Sequence, residues 1–156
     1  MKLPDREGTL FAVPLRKGGS GVGLVARTTT KGRVLLCYFF GPHRLAVPTL
    51  SEVARLKPGE AIGVGRGGDL GLIRGEWPII GQAEARNRAE WPMPQFVRRC
   101  SLSRKAWRVY RSDHDPAVID REEPEPYEST LESDGLDGAG SAEIRLTKLL
   151  TKEPAP

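Results

Sequence analysis

The chain has 156 residues, a length that fits one domain with a tail. Its hydrophobic content of 38% is enough for a core, and its 18 glycines and 13 prolines point to many turns; the composition excludes collagen, coiled coil and wholesale disorder. The net charge of +4 hides an asymmetry: residues 1–111 carry 20 Lys/Arg against 8 Asp/Glu, whereas residues 112–156 carry 4 against 12. Either one segment offers a charged interaction surface, or the acidic and basic stretches lie against each other and neutralise.

The predicted elements are mostly strands. Thr9–Arg16 alternates Phe11, Val13 and Leu15 onto one face, with Pro14 expected at an edge or bulge. Lys17–Gly21 is a turn, and Val22–Arg27 completes a hairpin. Arg33–Phe40, β-branched and aromatic, reads as a strand buried on both faces and ended by Gly41-Pro42. Thr49–Leu56 reads as a short helix stopped by Lys57-Pro58-Gly59. Glu60–Val64 and Leu70–Arg74 are expected as strands around a glycine-rich turn, and Gly75–Gly81 as extended chain. Phe96–Cys100 and Ala106–Arg111 are further strands.

Residues 112–140 are acidic, proline-bearing and turn-rich, and read as a surface loop or linker. Ser141–Leu150 reads as a helix capped by Ser141, packed with its short tail on the core. The expected organisation is thus a β-rich core over 1–111, an acidic linker over 112–140, and a C-terminal helix within 141–156. The expected fold class is mainly β (α+β): a twisted antiparallel sheet or small, partly open barrel with one or two short helices.

No apolar run is long enough for a membrane helix: the longest, Val34–Phe40, falls far short of the roughly 20 residues required. Met1–Glu7 carries charges where a secretory signal needs an apolar stretch, so the expected compartment is the cytoplasm.

Signals for catalysis or cofactors are weak. Gly63-Val64-Gly65-Arg66-Gly67-Gly68 matches G-x-G-x-x-G, but Asp69-Leu70-Gly71-Leu72 does not open the helix that dinucleotide binding needs, so a glycine-rich turn is expected. Cys37 reads as a core residue, and Cys100 follows Arg98-Arg99 as a strand thiol. Asp113-His114-Asp115 lacks a further histidine or cysteine nearby to complete a metal site. Trp77-Pro78 and Trp91-Pro92 place indoles where they seal a sheet end. In Trp107-Arg108-Val109-Tyr110-Arg111, alternation sets Trp107, Val109 and Arg111 on one face and Arg108 and Tyr110 on the other, a pattern shared by RNA-binding and half-buried strands.

Three ordered segments carry a family resemblance. The first is Gly8–Leu15, with Gly21–Arg27 and Tyr38-Phe39-Phe40; the second is Asp69–Leu72 with Gly75–Gly81; the third is Trp91–Phe96. Together they resemble the immunity protein 26 family of bacterial polymorphic toxin systems over roughly residues 8–111. The resemblance implies a small cytoplasmic protein that binds and neutralises a cognate toxin domain, with no enzyme activity and no cofactor.

An inhibitor of a basic toxin site, such as that of a nuclease, gains from an acidic face through steered association. The residues available for one are Asp113, Asp115, Asp120, Glu122, Glu123, Glu125, Glu128, Glu132, Asp134 and Asp137. Two other readings stay open: a nucleic-acid-binding β-barrel using the basic region, and a barrel-type ribonuclease using His43 or His114 with arginines.

Overall fold

The computed structural model describes residues 6–29, 34–83 and 87–151. Ten strands form two mixed sheets. The six-stranded sheet has the order β10-β4-β3-β2-β1-β5, and the four-stranded sheet β8-β7-β6-β9. The strands are β1 (Thr9–Pro14), β2 (Ser20–Thr28), β3 (Val34–Arg44), β4 (Gly63–Gly68), β5 (Ile79–Gln82), β6 (Gln95–Cys100), β7 (Lys105–Arg111), β8 (Ile119–Glu125), β9 (Glu132–Ser133) and β10 (Leu136–Asp137). Three helices accompany them: α1 (Leu50–Val53), α2 (Leu70–Ile73) and α3 (Ala139–Leu150). Neither sheet closes into a barrel among the described residues, so the architecture is mainly β with short helices, as the sequence predicts. No helix among the described residues is long and apolar enough to cross a membrane.

The large sheet is buried on both faces because the middles of its central strands, Val22–Ala26 and Val34–Phe40, are apolar throughout. Alternation sends Leu10, Val22, Leu24, Leu36, Tyr38 and Phe40 to one side, where they meet Trp91, Phe96 and Val109. Phe96 and Val109 belong to the small sheet. The opposite side carries Phe11, Val13, Val25, Leu35 and Cys37, which pack with Trp77, Ala142 and Leu146. The layers are therefore small sheet, large sheet and helix. Glycine brings α3 close: a Cβ on Gly21 would lie 2.7 Å from Leu146 Cδ2.

Several elements differ from expectation. Gly63–Gly68 is a strand and not a turn, pairing with β3 from Phe39↔Gly63 to Val34↔Gly68. At Gly65 the missing side chain leaves room for α3, since a Cβ there would stand 3.1 Å from an Arg145 guanidinium nitrogen. Leu70–Ile73 is one helical turn, not a strand: the Leu72 and Ile73 N–H groups both donate to the Asp69 carbonyl, at 3.0 Å. β3 does not stop at Gly41-Pro42 but continues to Arg44 through a cis peptide bond. α1 is a single turn rather than the expected span to Leu56. α3 begins at Ala139, with Gly138 at its N-cap and Ser141 inside its first turn. Residues 112–140 contain three strands where a loop is expected. β8 pairs antiparallel with β7; β9 pairs parallel with β6 and β10 parallel with β4, so consecutive short strands tie the two sheets together.

Candidate partner-binding surface

The acidic segment is fixed to the rest of the chain by arginines. Asp134 sits where the chain passes from β9 to β10, with its N–H on the Val97 carbonyl at 2.9 Å. Its carboxylate meets Arg111 of β7 at 2.8 Å and Arg66 of β4 at 3.2 Å, and all three side chains are at most 10% exposed. One buried carboxylate thus holds a cation from each sheet. Burial pulls the Arg66 guanidinium below its ordinary pKa, an effect that Asp134 opposes. Arg66 and Arg111 also donate to the carbonyls of Pro116 and Ala117, at 3.3 and 3.0 Å.

Asp113 closes a second clamp. It accepts from the buried Arg27 of β2 at 2.9 Å and from Arg88 at 2.8 Å. Burial alone would raise its pKa; the hydrogen bond and charge of Arg27, with those of Arg88, outweigh it and hold the carboxyl below its ordinary value. On the small sheet the pairs run across strands. Arg98 meets Glu122 at 2.9 Å and Arg108 meets Glu125 at 3.1 Å. Tyr110 donates to Glu123 at 2.5 Å, and Arg121 lies 3.5 Å from the same carboxylate. The Ser129 hydroxyl, then Arg108, hold the Glu125 carboxyl below its ordinary pKa. Arg145 of α3 pairs with Glu132 and, at 3.4 Å, with Asp137.

Seven of the ten carboxylates singled out from the sequence are therefore ion-paired inside the chain. Asp115, Asp120 and Glu128 make no ion pair among the described residues; Asp115 accepts the Ala117 N–H at 2.9 Å, and the other two are exposed. Sequence reasoning did not single out Arg27, Arg66 and Arg111 as buried cations. The signal for them was the charge imbalance between 1–111 and 112–156, which needs neutralising if the two stretches touch.

The other candidates are structural. Trp77 stacks on Phe11 with centroids 5.4 Å apart and donates its indole N–H to Glu143 of α3 at 2.9 Å. Trp91 packs edge-on to Tyr38 and Phe40. His43 Nε2 lies 2.9 Å from the Gly18 carbonyl, while His114 is exposed. Cys37 is buried, which pushes its thiol pKa up; Cys100 is half-buried, and hydrogen bonds from Ser103 lower its thiol pKa. Among the described residues, no group of three or more His, Cys, Asp or Glu converges as a metal site.

The comparisons with known proteins bear on one question, the family. No curated protein and no solved structure matches the chain. A family model described as Immunity protein 26 matches residues 6–108, from the approach to β1 into β7. That span holds every strand of the large sheet except β10, together with β6 and the first half of β7, and by it the chain belongs to the immunity protein 26 family.

Proposed function

We propose that this chain is an immunity protein that binds and neutralises a cognate toxin domain by direct protein contact, without catalysis, in the cytoplasm of the cell that makes the toxin. Membership of the immunity protein 26 family over residues 6–108 is the observation that carries the reading. The geometry supports it in one respect: β8 is an open edge of the small sheet, anchored through Arg98 and Arg108 and offering polar side chains to a partner. The acidic segment is the proposed contact. Asp115, Asp120 and Glu128 bring charge that no arginine among the described residues neutralises, and a basic toxin surface such as a nuclease site is the complement they suit.

Co-expression tests the reading. The toxin domain at the C-terminus of a large secreted protein encoded beside this chain should arrest growth when expressed alone. Growth should return when this chain is co-expressed, and the two should purify together. Continued arrest with no complex would overturn the proposal. Reversing Asp120 and Glu128 to lysine should slow association with the toxin; an unchanged rate would remove the acidic contact.

A further inference from the structure

The end of the β6–β7 hairpin has the opposite character to the acidic segment. Its turn, Ser101–Arg104, is exposed throughout, and Leu102 stands 96% exposed at its tip. Arg99, Arg104 and Lys105 surround it, and none of the three makes an ion pair among the described residues. Arg99 donates instead to the main-chain carbonyls of Tyr127 and Ser129, at 2.6 Å to the former. Arg104 lies over the Tyr127 ring, 4.1 Å from its centroid, and Arg99 lies 5.9 Å from the same centroid. Two guanidinium groups are thus gathered around one ring, neither ion-paired among the described residues, in a chain that pairs most of its acidic segment with arginine. This is a patch of positive charge, without an ion pair among the described residues, beside an apolar knob.

We infer that the β6–β7 hairpin end, through Arg99, Leu102, Arg104 and Lys105, is a contact for a carboxylate-rimmed apolar hollow on the toxin. The inference rests on the proposed immunity role and adds the chemistry of the partner's surface. Charge complementarity requires an anionic partner. A protein fits better than a nucleic acid, because an arginine already occupies one face of each ring that would stack on bases: Arg104 on Tyr127, and Arg98, at 4.7 Å, on Trp107. A fully exposed leucine adds apolar contact that a protein hollow accommodates and a phosphate backbone does not.

The test compares the full-length wild-type chain with an Arg104→Gly/Lys105→Ser variant for binding to the purified toxin domain at low and high salt. Arg104 has φ of 58°, a conformation glycine adopts without strain, so the variant removes charge without disturbing the turn. Leu102→Asp is the second variant; it leaves the cations in place and puts a like charge against the proposed rim. The expected result is at least about tenfold weaker binding for each, with a shallower salt dependence for the charge-removal variant. If the wild type binds and both variants bind equally well, the inference is overturned while the immunity role stands. If the wild type does not bind the toxin, the immunity reading itself has failed. Retained toxin binding with loss of salt-dependent binding to a single-stranded oligonucleotide would assign the hairpin to nucleic acid and also overturn the inference.

Discussion

The two faces of the large sheet are held by different physics. Toward α3 the contacts are mostly apolar, with Phe11 stacked on Trp77 and Leu146 over Gly21, and the ion pairs that Glu143 and Arg145 make at the margin are partly exposed. Toward the small sheet the core is apolar at its centre, with Phe96 and Val109, but its margin is ionic, with Asp113 and Asp134 each bridging two arginines. The family match ends at residue 108, so both bridging carboxylates and one of their four arginines, Arg111, lie beyond it. Apolar burial tolerates small changes in shape, whereas a buried ion pair turns into a penalty as soon as one partner is removed.

The largest break in this comparison is at Asp134. Asp134→Ala should cost about 3–5 kcal/mol in urea unfolding, because it leaves Arg66 and Arg111 buried without an anion. Replacing all three residues with apolar ones of similar volume should recover most of that loss, which a merely space-filling role for Asp134 would not predict. On the helix side, Gly71→Ala places a Cβ 2.7 Å from the Trp77 ring, which is fixed between Phe11 and Glu143; about 1–3 kcal/mol should be lost.

Acid sharpens the contrast with a smaller effect. The Asp113 and Glu125 carboxyls are depressed in the folded chain, so their stabilisation is complete above the ordinary carboxylate range, near pH 4, and fades as pH falls through their lower folded values. Amide exchange should then speed up in β8 at a pH where β2 and β3 stay protected. Uniform loss across both sheets would contradict the division. Smallest of all should be Glu122→Gln, which removes an exposed pair with Arg98 and should change stability by under about 1 kcal/mol.

The same contrast decides what was legible in the sequence. β1 declares itself by apolar alternation, β2 by the glycine turn that pairs it with β1, and β3 by an unbroken apolar run, so their positions follow from local residues. β4 does not, because a Gly-rich strand carries no side-chain pattern; what makes it a strand is pairing with β3 and cover from α3, supplied by residues such as Arg145 about eighty positions away. β8 was hidden for a related reason. Ile119-Asp120-Arg121-Glu122-Glu123-Pro124-Glu125 lacks apolar alternation and contains proline, and it becomes a strand through arginines on β6 and β7. The ten acidic candidates were visible as a cluster, but their division into seven paired and three unpaired carboxylates depends on which arginines the fold brings within reach.

The central claim is that this chain binds a toxin. The most direct measurement is calorimetric titration of the purified chain with the purified C-terminal domain of any large secreted protein encoded beside it. A saturable complex, tight at physiological salt and accompanied by loss of the toxin's activity, is the predicted result. No heat of binding and an undiminished toxin activity would contradict it.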